Sequence, residues 1–539
     1  MKNDKNNVTD PSIKEEGIMR RLKQFLRIAI CKGCPIMLFV MFVINVPCSG
    51  NNLEITNVEL TNKTGSTYDV EFDISWDNSW HTAGAPSLTA NWDAAWVFIK
   101  FSTRAAGSTE WLPWRHATLN ATGHTAPSGS QIDLGATSGT NVGAFIRRSS
   151  AGSGTNTWTD AALQWDFSAD GVNADDVKAV KVFGIEMVLI SSGSFYAGSG
   201  GTGVSEFYKY PTSTNPYLIS SEDAIPIGAD TDKLYYPSST DGGDQSGDGS
   251  GNIPAGFPKG YDAFYIMKTE ISQRQYCDFL NTLEAGQLTN RVYADGYFND
   301  SRNWIKKALN GKYGCDANDN AGSWGTADYS KMNESDDGGW TACNYLNWGD
   351  VAAYADWSGL RPFTELEYEK ACRGGQVPVA DEYAWGSTSI QEATGISGGG
   401  TVSEGPSNTA ANCVYNNNEN VQGPLRSGCM ARSATTRVEA GASYFGVLDL
   451  SGNLWERPVT LGNETGRAFT GEHGDGLLNA TGYADATSWP ASDAIGAGFR
   501  GGNWSLHPTL CRVSDRIHAA YTNSNRTLSY GGRCARTSP

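Results

Sequence analysis

A chain of 539 residues with 39% hydrophobic side chains is long enough for two or three domains with real cores. Its net charge of −17 excludes general nucleic-acid binding, which depends on neutralising phosphates, so no nucleic-acid partner is expected. Sixty-three glycines, 17 tryptophans and 23 tyrosines beside only 18% charged residues exclude a helical bundle and point to loop-rich, strand-rich architecture.

Residues 1–50 read as a targeting segment. Arg20, Arg21, Lys23 and Arg27 form a basic lead, and Pro35 to Val46 is an apolar run too short for a comfortable membrane span, a pattern that predicts export to the periplasm, cell surface or medium. Met19 is a second candidate start. Cys48 is a candidate lipid acceptor although Pro47 and Asn45 fit a lipobox poorly; ordinary cleavage nearby is the alternative. Membrane contact is expected only through such an anchor. Three of the eleven cysteines fall in this region, and the other eight (Cys277, Cys315, Cys343, Cys372, Cys413, Cys429, Cys511, Cys534) could pair in an oxidising compartment with a connectivity that spacing does not give.

Residues 53–180 read as a β-sandwich of immunoglobulin or fibronectin type. Tyr68 to Trp76 alternates apolar and polar, which puts Tyr68, Val70, Phe72, Ile74 and Trp76 on one buried face. Shorter runs at Trp96–Phe101, Ala144–Arg147 and Leu163–Phe167 are separated by Gly, Ser, Thr and Asn turns. The acidic, glycine-rich stretch from Asp241 to Asn252 lacks the spacing of a calcium loop and reads as a flexible insertion over about 236–255. Capping boxes at Ser272/Gln275 and Thr364/Glu367, with Gly359 and Gly374 where helices should stop, predict helices near 272–284, 349–358 and 365–372.

Five further segments share one order: Glu186 to Phe195, Phe264 to Leu280, Asn347 to Gly375, Leu448 to Glu456 and Gly498 to Trp504. In that order the chain from about residue 182 to its end resembles the formylglycine-generating enzymes, the sulfatase-modifying factor family. The resemblance implies an α+β domain over 182–539 built as an irregular C-type lectin fold. It implies a calcium site at Asp449, Gly452, Leu454 and Glu456, with two side-chain and two backbone ligands; two carboxylates flanking a glycine turn suit a hard cation, and capping of the turn is the plainer account. The family's second calcium site maps near Asn412 and Cys413, where no acid follows between Val421 and Val438. Family members hold copper through a Cys-x-x-x-x-Cys pair, soft ligands for a soft ion. Here Leu506 stands at the first cysteine, Cys511 at the second and Asn503 at the active-site serine, while Trp455 matches an active-site aromatic. Copper is therefore not expected. The family bridges fall on Ala355, opposite Cys534, and on Arg516, opposite Cys372, so neither transfers. Six histidines without a clustered motif give no support to an iron site like that of related enzymes.

The last forty residues carry Arg500, Arg512, Arg516, Arg526, Arg533 and Arg536 against one acid, Asp515. They form either a basic face or a set paired inside the fold. Arg500-Gly-Gly-Asn-Trp504 and Gly532-Arg-Cys-Ala-Arg536 also resemble the ends of diversity-generating-retroelement variable proteins, which present a ligand-binding surface there. That resemblance implies contact residues Asn503, Trp504, His507, Leu510, Ile517, His518, Tyr521, Thr527, Leu528, Ser529 and Tyr530. The expectation is an exported protein that binds a protein or glycan ligand on an enzyme-like scaffold without the cysteine pair, stabilised by calcium. The alternatives are a formylglycine-generating oxidase with Cys511 as its thiol, and a structural surface protein.

Overall fold

The alternating run at Tyr68–Trp76 lies within β2 (Thr67–Thr82), where Val70, Phe72, Ile74 and Trp76 are buried and Tyr68 is half-buried. A computed structural model describes residues 52–84, 90–239, 244–293, 300–431 and 436–539; the targeting segment lies outside them. On either side of β2 run β1 (Glu54–Thr64) and β7 (Gly152–Asp166), both antiparallel. Facing this layer is a second one, in which β3 (Asn91–Arg104) pairs with β8 (Val177–Ile190) on one edge and with β4 (Arg115–His116) and β6 (Thr140–Arg148) on the other, and β5 (Ser130–Thr137) extends β6. Between the layers Val70, Phe72, Ile74 and Trp76 meet Val97, Ile99, Ala144, Leu163 and Trp165.

β3 is buried on both faces. Ala95, Val97, Ile99 and Phe101 enter the core just described, while Ala94, Trp96 and Phe98 enter a second core shared with Met187, Trp357 and Leu360. This explains why residues 94–99 read as an unbroken apolar run instead of alternating. Trp96 donates from Nε1 to the Ser358 carbonyl at 2.7 Å, and the buried Lys100 ammonium donates to the carbonyls of Trp357 and Gly476 at 2.7 and 2.6 Å. These bonds satisfy polar groups that would be costly to bury alone.

On its other edge, from Met187 to Ile190, β8 is the neighbour of β9 (Phe264–Met267), which in turn pairs with the C-terminal β12 (Ala535–Thr537). The boundary expected near residue 181 thus falls inside a strand, and Cys48–Pro539 is one compact unit. The structure as a whole is strand-rich with few helices, but past β8 the strands are short and irregular chain predominates. α1 (Gln273–Leu280), α3 (Trp348–Trp357) and α4 (Glu365–Arg373) occupy the expected places, and the boxes at Ser272/Gln275 and Thr364/Glu367 both form. α1 stops short of the expected residue 284. There Asn281 turns its side chain out of the helix to exchange two 2.8 Å hydrogen bonds with the backbone of Tyr313 in β11 (Tyr313–Cys315), the second strand of a hairpin with β10 (Ile305–Lys307). A short helix, α2 (Ala285–Arg291), follows and had no sequence signal, since its residues lack an apolar stripe.

The insertion expected to be flexible is packed where it is described. Ser246 is fully buried, Asp248 pairs with Arg467 at 2.8 Å, and Gly251–Ile253 pairs with Ile225–Ile227. Residues 240–243 lie outside the described residues. Among the described residues no helix is long and apolar enough to cross a membrane.

Candidate functional site

The six arginines of the C-terminal tail are paired with acids or carbonyls, and they make no basic face. Arg500 reaches Glu365 at 3.0 Å and Glu369 at 2.7 Å, and Arg516 reaches Glu365 at 2.9 Å. Arg533 pairs with Glu456, Arg526 with Asp350 at 2.6 Å, and Arg512 with Asp381 at 3.1 Å. Arg536 donates to the carbonyls of Gly359 and Ala136. Arg500, Arg516, Arg533 and Arg536 are fully buried, where a rigid guanidinium fork can meet two acceptors at once.

Held by these anchors, the segment 503–530 presents fewer side chains to solvent than its sequence suggests. Asn503 and Trp504 are buried. Asn503 Oδ1 accepts from the backbone and hydroxyl of Ser505, and Trp504 Nε1 donates to the Leu528 carbonyl at 3.1 Å. Tyr530, only 9% exposed, packs with Trp455 and Phe499. These three expected contact residues therefore support the surface from beneath. Leu506, Leu510 and Tyr521 lie half-buried on that aromatic base, and the His518 ring sits 5.7 Å from Trp455 and 5.5 Å from Tyr521. His507 is exposed, while Ile517, Thr527, Leu528 and Ser529 are half-buried.

Beneath the patch lies Arg457, which sequence reasoning missed. Its buried guanidinium stacks 3.9 Å from the Phe499 centroid and donates to the Asn523 carbonyl; burial pushes its pKa down to about 9. Asn523 in turn donates to the hydroxyls of Tyr521 and Tyr530 at 3.1 and 3.2 Å. Phe499 was not singled out either, although it lies within the Gly498–Trp504 segment, and the hint for Arg457 was its place directly after the Leu448–Glu456 segment.

Leu506 and Cys511 do not form a metal-binding pair. A leucine side chain offers no donor, and Cys511 is fully buried beside Gly502, where a Cβ would come within 2.6 Å of the Cys511 sulfur. The Cys511 carbonyl accepts from Ser451 Oγ at 2.7 Å, which fixes the loop around it.

The turn from Asp449 to Glu456 is shaped by three left-handed residues, Asp449 (φ 58°), Gly452 (φ 85°) and Asn453 (φ 62°). A side chain at Gly452 would strike Cys413 and the Val414 carbonyl. Into this turn comes Glu270, which sequence reasoning also missed, accepting from the Leu454 N–H at 2.8 Å and from Asn453 Nδ2. Asp449 accepts from the Gly428 N–H, and Glu456 gives one oxygen to Arg533 while its Oε2 is buried with no hydrogen-bond partner. Burial first, and the charges of Asp449 and Glu456 second, push the Glu270 carboxyl well up; burial raises Asp449, and burial together with the Asp449 charge pushes Glu456 up to about 7. The oxygens of Glu270, Asp449 and Glu456 do not all come within reach of one cation; among the described residues the acidic groups that do are Glu334, Asp336 and Asp337, and Asp356, Asp475 and Asp485.

Residues 239–538 match a family model described as the sulfatase-modifying factor enzyme 1-like domain. No curated protein matches the chain.

Proposed function

Because the chain belongs to the sulfatase-modifying factor enzyme 1-like family, we propose that it uses the α+β, C-type-lectin-like scaffold of that family to bind a protein or glycan ligand, and that it does not oxidise a client cysteine. The observation that carries this reading is the pairing of Leu506 with a fully buried Cys511, which leaves copper one thiolate short and offers no accessible thiol. The proposed contact surface is His507, Leu510, Ile517, His518, Tyr521, Thr527, Leu528 and Ser529, of which Leu510, His518 and Tyr521 rest on Trp455, Phe499 and Tyr530 while Leu528 packs with Trp504. Aromatic side chains with polar tips on a rigid base suit recognition, since little freedom is lost on binding.

In this proposal calcium is held by Asp449, Glu456 and the backbone oxygens of Gly452 and Leu454, with Glu270 bracing the turn. It would supply positive charge to a carboxylate-rich pocket and no redox chemistry. The basic lead and apolar run of residues 20–46 support export, with Cys48 as lipid acceptor or a cleavage site nearby.

The test is incubation of the purified protein with a Cys-x-Pro-x-Arg peptide and copper(I), read by mass spectrometry. No formylglycine is expected. Turnover that disappears in Cys511→Ser would overturn the reading in favour of an oxidase. In parallel, His507→Ala/His518→Ala/Tyr521→Ala should lose binding to ligands found on a glycan array while keeping the wild-type melt.

A further inference from the structure

Cys277 lies on the buried face of α1 and Cys315 ends β11. The residues are 38 apart in sequence, yet their sulfurs are 4.0 Å apart, in contact. The surrounding backbone is already fixed by the double hydrogen bond between Asn281 and Tyr313, so the two sulfurs are not brought together by chance mobility. A disulfide requires a separation of about 2.05 Å, so the two sulfurs, already in contact, must close by about 2 Å as the bond forms. Cys343, the third thiol near this pair, is directed to the Asn344 carbonyl at 3.7 Å.

We propose that Cys277 and Cys315 form a disulfide that staples the β10–β11 hairpin to α1. It is neither of the bridges that the family resemblance implies, which involve the positions of Cys534 and Cys372. Each thiol gives up one proton and one electron as the S–S bond forms. The oxidant, a disulfide-bearing oxidoreductase or glutathione disulfide, is cleaved to two thiols in the same exchange. Burial pushes the Cys277 thiol well up, which makes it a poor nucleophile once the fold has closed. The bond therefore forms in the chain before α1 covers β11, and it acts as a permanent staple and not as a switch.

The experiment is synthesis of the full chain in a cell-free reaction supplied with glutathione disulfide and a disulfide isomerase, followed by alkylation and tryptic digestion without reduction. Cys277, Cys315 and Cys343 fall in separate peptides, residues 275–291, 313–331 and 332–370. A cross-linked 275–291/313–331 pair is expected. Recovery of both peptides alkylated, or of 313–331 linked to 332–370, would overturn the assignment. The oxidised wild type should also melt about 5 °C above its reduced form, because the cross-link removes loop entropy from the unfolded chain. Cys315→Ser should melt alike in both conditions, and a variant that kept the difference would also overturn it.

Discussion

At the scale of single residues, the tail arginines show how one residue type takes opposite roles according to depth. Arg500 is fully buried between Glu365 and Glu369, so its removal leaves each carboxylate with one guanidinium fewer, Arg516 and Arg373 being their other partners, in a low-dielectric interior. Arg500→Met is expected to cost about 3–5 kcal/mol, measured as a shift in the denaturant midpoint. Arg512, whose pairing with Asp381 is partly open to water, should cost about 0–1 kcal/mol in the same substitution. None of these partners was legible locally. Asp515 is the only acid within the last forty residues, and Glu365, Glu369, Asp350 and Glu456 come from distant segments of the chain. Trp504 was read as a contact residue for the same reason, because the Leu528 carbonyl that receives its N–H is brought over it only by the folded tail.

Elements were legible wherever their signals are local. The boxes at Ser272 and Thr364 marked helix starts because the capping partners lie three residues on, and β2 was visible because alternation is a property of the strand itself. What escaped is what other elements impose, such as the early end of α1 at Asn281, the docking of the β10–β11 hairpin, and the entry of Glu270 into the Asp449–Glu456 turn. That turn carries its own prediction. If calcium binds only the folded state, excess chelator should lower the melting temperature, and Asp449→Ala should abolish the response to chelator. A scanning-calorimetry trace unchanged by chelation would remove calcium from the turn.

For the molecule as a whole, the burial of titratable groups sets a pH limit on stability. His116 is stacked on Phe98 and bonded to the Val142 carbonyl, and burial, reinforced by the nearby Lys100 charge, holds its pKa well below the usual value. A base whose folded pKa is depressed takes up protons more readily when unfolded. Its contribution is complete above about pH 6.5 and declines as pH falls below that value. His116→Gln, which keeps a donor for Val142, should therefore shrink the stability difference between pH 7.5 and pH 5.0 by about 2 kcal/mol, read from denaturant curves at the two pH values. Glu186, raised to about 8 mainly by burial, acts in the opposite sense, so the comparison with wild type is what isolates the histidine.

The continuous ladder from β3 through β8 to β9 and β12 also decides how the molecule would carry tension. If a ligand binds residues 507–529 as proposed and the chain is tethered near its N-terminus, a pull on that ligand would reach β12, cross to β9 and β8, and meet the register from Asp93↔Val188 to Arg104↔Val177. Antiparallel strands loaded along their length resist by shearing many hydrogen bonds together, whereas a free linker between two domains would simply extend. Because β8 pairs with both β3 and β9, load passing from β12 to β3 would cross paired strands at every step.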